Sequence, residues 1–184
     1  MCGIAGKLSF QERPDADTAA QMATEMSHRG PDADGVYADE HVALGHRRLS
    51  ILDLSDAGAQ PMEDEDGSLR IVFNGEIYNY RELRDSLGHH TFRSETDTEV
   101  ILHLYEEHGV DCLDMLRGMF AFAIWDVDAE RLFLARDRLG QKPLFYRHDA
   151  GRFWFGSTIK ALLADDAIAA EPDLPAIREF LTYS

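Results

Sequence analysis

Seven consecutive apolar residues, Met119-Phe120-Ala121-Phe122-Ala123-Ile124-Trp125, run straight into Asp126-Val127-Asp128, and a second apolar stretch follows over residues 131–135. Short runs dense in aromatic residues and closed by turn formers read as strands, and two across a short polar link read as a β-hairpin. The arrangement recurs where Leu144-Phe145-Tyr146 and Phe153-Trp154-Phe155 flank His148-Asp149-Ala150-Gly151. Further strands are expected over residues 2–8, 42–45, 49–52 and 69–73, the last ending in the turn dipeptide Asn74-Gly75. Helical signals stand in separate blocks: residues 17–27, stopped by Gly30-Pro31, and residues 81–87, 158–164 and 174–181. Thr96-Asp97-Thr98-Glu99 fits a capping box, opening a helix with an apolar stripe of Val100, Ile101, Leu104 and Tyr105. Residues 55–67, punctuated by Gly58, Pro61 and Gly67, read as loop. Antiparallel strand pairs with segregated helices point to a layered α+β domain.

The chain has 184 residues, the size of one domain, and its 45% hydrophobic content is enough to build a core. The net charge of −16 argues against neutralising nucleic-acid phosphates or sitting on anionic lipid. No run of apolar residues is long enough to span a membrane, and residues 1–10 lack a basic n-region and a long apolar core, so a cytoplasmic protein is expected. Two cysteines cannot make a disulfide scaffold or a cysteine-rich zinc site. His89-His90, His103 and His108 lack the spacing of a zinc site with a carboxylate partner, so no metal is expected. Neither a P-loop nor a G-x-G-x-x-G occurs, so no nucleotide site is expected here. The only lysines are Lys7, Lys142 and Lys160. This acidic balance fits an ordinary soluble protein, or a halophilic-like surface whose self-repulsion salt screens.

Chemistry concentrates at the start of the chain. With Met1 removed, Cys2 would carry a thiol and a free α-amine whose ordinary pKa is roughly 7.7–8.0. One residue could then supply a nucleophile and its general base. Cys112, between Asp111 and Leu113, reads as packing.

Cys2-Gly3-Ile4-Ala5-Gly6, His28-Arg29-Gly30-Pro31-Asp32, Gly45-His46-Arg47-Arg48-Leu49-Ser50-Ile51-Leu52-Asp53 and Phe73-Asn74-Gly75-Glu76-Ile77-Tyr78-Asn79 resemble the glutaminase domain of glutamine-hydrolysing asparagine synthetases. So do Thr96-Asp97-Thr98-Glu99, Gly118-Met119-Phe120-Ala121-Phe122-Ala123, and Arg136-Asp137-Arg138-Leu139-Gly140 with Lys142-Pro143-Leu144. The likeness is strongest over residues 2–163 and treats residues 1–184 as one type 2 glutamine amidotransferase domain. It implies an αββα four-layer sandwich of two mainly antiparallel sheets, of the N-terminal-nucleophile hydrolase type.

The implied reaction is attack of the Cys2 thiolate on the side-chain amide of L-glutamine, giving a thioester and ammonia, then hydrolysis to glutamate. The catalytic set so implied is Cys2 with an oxyanion hole from the Asn74 amide and the Gly75 N–H. Arg48 would grip the substrate α-carboxylate, with backbone groups of Leu49, Ser50, Ile51 and Leu52 completing that wall. Asp97, helped by the Glu76 carbonyl, would accept the α-ammonium. Asn74-Gly75 is also readable as a plain turn, and Asp97 as a helix-end carboxylate.

No cofactor is implied for this domain. ATP and Mg2+, with aspartate as acceptor, are implied only for a C-terminal synthetase domain, toward which residues 164–184 are expected to lead. A glutaminase serving another acceptor, or a silent module binding glutamine or a partner, are the competing expectations. Oligomeric state is not legible. Thr158 stands where the family usually shows Glu, leaving that position without an expected role.

Overall fold

The structure, a computed structural model, describes residues 1–183. In chain order its elements are β1 (Gly3–Ser9), α1 (Ala16–Thr24), β2 (Ala33–Ala38), β3 (Val42–Arg48), β4 (Met62–Glu63), β5 (Leu69–Ile77), α2 (Tyr80–Ser86) and α3 (Asp97–His108). They continue with β6 (Gly118–Asp126), β7 (Arg131–Arg136), β8 (Phe145–Asp149), β9 (Arg152–Gly156), α4 (Ile159–Leu162) and α5 (Leu174–Tyr183). One antiparallel sheet has the order β2-β3-β1-β9-β8 and the other β4-β5-β6-β7.

The apolar run that opens the sequence explains the layering. Successive side chains on a strand point to opposite faces, so a strand without polar alternation must be covered on both. In β6, Phe120, Phe122 and Ile124 face an outer core under α2 and α3, with Ile71, Phe73, Val100, Ile101 and Leu104. Ala121, Ala123 and Trp125 face the other sheet, packing with Ile4, Val42, Leu44, Val72 and Phe155. On the far side of the first sheet, α1 and α4 bury Ala5, Met22, Met26, Trp154 and Leu162. Three apolar layers between four layers of secondary structure make the αββα sandwich.

Both expected hairpins form. The β8–β9 turn is made by Ala150 and Gly151, both at positive φ, 47° and 75°. That geometry suits the twist of a two-residue hairpin and favours glycine at the second position. Two expected strand features do not hold. Asn74-Gly75 is not a turn: it lies inside β5, opposite Ala121 and Phe120, because all nine residues of β5 pair with β6. Residues 49–52 are not a strand: β3 ends at Arg48, and the Leu49 and Ser50 N–H groups turn instead to Cys2 Sγ and Asp32 Oδ2.

The capping box is only half made. Thr96 Oγ1 accepts from Glu99 N–H, but the Glu99 carboxylate reaches past Thr96 to the N–H groups of Arg93 and Ser94. Thr158 has a plain role as N-cap of α4, its hydroxyl accepting from Ala161 N–H at 3.2 Å. The expected run-in over residues 164–184 includes Ser184, which lies outside the described residues. Before it, α5 buries none of its side chains.

Candidate active site

The start of β1, the end of β3, the middle of β5 and the first turn of α3 converge on one cleft of about 200 Å³. Cys2 enters it just before β1. Arg29 Nε donates to Cys2 O at 3.1 Å, and Leu49 N–H approaches Cys2 Sγ at 3.4 Å. Burial pushes the Cys2 thiol up, and the Leu49 N–H, the chain's terminal amine and Arg48 only partly offset this. A thiol held above its ordinary range is protonated near neutrality, so a nucleophilic role at this position requires a base.

Asn74 and Gly75 reach the cleft because of the β5 register. Phe120 N–H and C=O are both turned toward Asp137, so Gly75 and Phe120 form a pair without mutual hydrogen bonds. The odd-numbered residues of β5 therefore direct their N–H groups to the strand's other edge. There Phe73 N–H is taken by Gln60 Oε1 at 2.6 Å and Ile77 N–H by Asp97 Oδ2 at 2.8 Å. Gly75 N–H, between them, faces the cleft past the end of two-residue β4. A Cβ on Gly75 would lie 2.5 Å from Met119 O, so strand contact demands glycine here. Asn74 also lines the cleft, is 1% exposed, and its Nδ2 has no hydrogen-bond partner.

Two opposite charges line the same cleft without an ion-pair partner among the described residues. Arg48, buried, donates Nη1 to Ser55 O at 2.8 Å and Nη2 to Asp53 O, folding the loop after β3 around itself. Asp97, also buried, is the first residue of α3. Burial pushes its carboxyl up to about 6; the Ile77 N–H pulls it down and Glu76 adds to the rise.

Leu49, Ile51, Leu52 and Glu76 also line the cleft. Ser50 is not on its wall; its N–H is held by Asp32 at 2.8 Å. Sequence reasoning missed Gln60, which ties β5 to α3 by also donating Nε2 to Thr98 Oγ1 at 3.2 Å. It missed Lys142, a buried lysine at the cleft that donates Nζ to Met1 Sδ. It also assigned nothing to His46. That ring is wholly buried between the sheets with Nε2 3.3 Å from Phe73 O, and burial drives its pKa down to about 3, so it is neutral.

Residues 1–184 match the sequence profile described as "Glutamine amidotransferase domain". The chain belongs to that family. Asparagine synthetase (glutamine-hydrolyzing) 3 of Bacillus subtilis is 43% identical over 97% of this chain, which spans 30% of that protein. A putative asparagine synthetase (glutamine-hydrolyzing) 2 of Methanocaldococcus jannaschii is 42% identical over 89% of the chain, which spans 35% of it. This domain thus corresponds to about a third of these relatives' length. The glutamine phosphoribosylpyrophosphate amidotransferase of B. subtilis superposes with a TM-score of 0.75 at 20% identity, covering 89% of this chain and 43% of that one. That likeness concerns the fold alone, and it agrees with the four-layer αββα architecture.

Proposed function

We propose that this amidotransferase domain hydrolyses the side-chain amide of L-glutamine through a Cys2 thioester. The observation that carries the reading is the buried, unpartnered Asn74 Nδ2 in the same cleft as Cys2 Sγ. An orphaned buried donor costs stability unless a ligand uses it. The Gly75 N–H supplies a second donor, and preorganised donors are worth most when charge develops on the oxygen they face.

Arg48 and Asp97 are suited to the two ends of an amino-acid zwitterion. Each is a buried charge without a counter-ion, and binding would offset the cost of burying both. In the proposed sequence, removal of Met1 frees the Cys2 α-amine, which takes the thiol proton as sulfur attacks the amide carbon. The carbonyl oxygen becomes an oxyanion between Asn74 Nδ2 and Gly75 N–H. The ammonium then protonates the departing nitrogen, ammonia leaves, and a thioester remains. The same amine deprotonates a water that attacks the thioester, releasing glutamate and restoring the thiol.

These steps need no cofactor. The ammonia is proposed to serve ATP-dependent, Mg2+-assisted amidation of aspartate by the remaining part of an asparagine synthetase, in the cytoplasm. Glutamate and ammonia should appear in equal amounts from processed protein and glutamine, and acid quenching should trap a glutamyl adduct on Cys2. Absence of both products would leave a glutamine-binding module instead.

A further inference from the structure

The sequence spacing of the histidines offers no metal site, yet the fold brings two of them together with a glutamate on the helical layer. His103, Glu106 and Glu107 lie on one face of α3 at the i, i+3, i+4 spacing. The chain after α2 brings His89 and His90 against that face. His103 Nδ1 and His90 Nδ1 stand 3.3 and 3.6 Å from the same atom, Glu106 Oε2. The two rings are 4.2 Å apart and tilted by 30°. One ligand atom from each of the three residues falls within 4.8 Å of the others. A tetrahedral cation at about 2.0–2.1 Å from its ligands spaces neighbouring ligand atoms about 3.3 Å apart. The two separations from Glu106 Oε2, 3.3 and 3.6 Å, match that spacing.

The outer ring of contacts fits the same reading. His90 Nε2 lies 2.8 Å from Glu107 Oε1, so the nitrogen turned away from Glu106 is held by a second carboxylate. A metal-bound imidazole is characteristically oriented in this way. His89 Nε2 reaches the same oxygen at 2.5 Å. A second observation concerns His103. It is 1% exposed, its ring packs against those of His90 and Phe92, and its Nε2 has no partner. The other nitrogen, Nδ1, faces Glu106 Oε2 at 3.3 Å and is the atom placed to ligate a cation there. Glu106 is half-exposed, which leaves an entry path and room for a water ligand.

We propose that His90, His103 and Glu106 bind one divalent transition-metal cation, with Glu107 orienting His90. Two imidazoles and a carboxylate favour Zn2+ over Mg2+ or Ca2+, which prefer all-oxygen sites. The ion ties the segment after α2 to α3, whose first residue, Asp97, lies roughly 9 Å along the axis from His103. Its role is to brace the helical layer beside the cleft, without touching substrate.

The test is titration of ZnCl2 into metal-stripped Cys2→Ala protein, which lacks the competing active-site thiol. Calorimetry should show one saturable equivalent, undiminished by a large excess of Mg2+, and the melting temperature should rise with free Zn2+. Glu106→Gln and His90→Asn should each weaken binding at least about tenfold, and Glu107→Gln about 10–100-fold. Glu106 is half-exposed and His90 largely buried, and melts of both variants without metal verify folding. No saturable equivalent at millimolar Zn2+, or an equivalent unaffected by Glu106→Gln and His90→Asn, overturns the proposal.

Discussion

Ile77 N–H donates to Asp97 Oδ2 across 2.8 Å, fastening the end of β5 to the first turn of α3. The bond fixes the direction of a carboxylate that burial nonetheless lifts to a pKa of about 6. The unfolded value is roughly 3.9, so between these two pH values the folded chain holds the proton that the unfolded chain has lost. Stability contributed here therefore falls as pH rises through that window. Asp97→Asn should stabilise the unliganded domain at pH 7 by up to about 3 kcal/mol, about two pKa units at 1.36 kcal/mol each. Urea melts at pH 4 and pH 7 would show the gain only at the higher pH. The same substitution should reduce kcat/KM for glutamine strongly, and wild-type kcat/KM should rise through pH about 6. A variant that handles glutamine normally would make Asp97 a helix-end residue alone.

Asn74→Ala removes a donor that has no partner in the unliganded domain. It should lower kcat by roughly 10²–10³-fold with a smaller change in KM, because the donor is used chiefly in the transition state. Stability should change little, in contrast to a substitution that breaks a satisfied buried hydrogen bond. An equal loss in binding and turnover would assign Asn74 to ground-state recognition.

Cys2→Ala should abolish glutamate release while leaving the melt unchanged. Blocking removal of Met1 should do the same, since the amine then sits on Met1, bound to Arg29 O at 3.1 Å. Intact mass and glutamate release measured on one preparation make the check. Full turnover with Met1 attached would exclude the freed amine as base.

The long apolar run made β6 legible, and with it the two-sided burial that demands a sandwich. Cys2 was legible because its chemistry depends on its place in the chain. Asn74-Gly75 was misread as a turn because local preference gave way to pairing along the whole of β5. Ala33–Ala38, rich in Ala, Asp and Gly, carries almost no strand signal and forms only as an edge against β3. Ser50, inside the same motif, lies off the cleft because its N–H is held by Asp32, a contact that local sequence does not announce. His90, His103 and Glu106 become neighbours only when α3 packs beside the chain leaving α2. Helical spacing pairs His103 with Glu106, but no spacing along the sequence brings His90 to them.

Asp137, within the motif after β7, accepts N–H groups from Phe120, Leu139, Gln141 and Lys142. Burial raises its carboxyl, but these donors outweigh it and hold the pKa below the usual range. A depressed folded pKa contributes stability above the unfolded value, roughly 3.9, that is lost as pH falls through the folded one. Asp137→Ala should therefore cost about 2–4 kcal/mol at pH 7 and much less in strong acid. Denaturant melts at the two pH values test this, and an unchanged neutral-pH midpoint would remove Asp137 from the loop's supports.

The last expectation concerns salt. Asp and Glu number 34 against 18 Lys and Arg. Several ion pairs that do form join exposed groups, such as Arg147 with Asp149 and Arg138 with Asp114, and contribute little. Most of the excess negative charge is therefore left to repel across the surface. At 0.01 M ionic strength the Debye length is about 30 Å, comparable with the domain; at 1 M it is about 3 Å. The buried acids Asp97 and Asp137 are held by backbone donors and are far less open to screening. The melting temperature should consequently climb from dilute buffer to molar KCl, with glutaminase activity following. Net repulsion predicts most of that rise at the low end of the series, where the screening length shrinks fastest. A flat or falling curve would show that the acidity does not limit the stability of this fold.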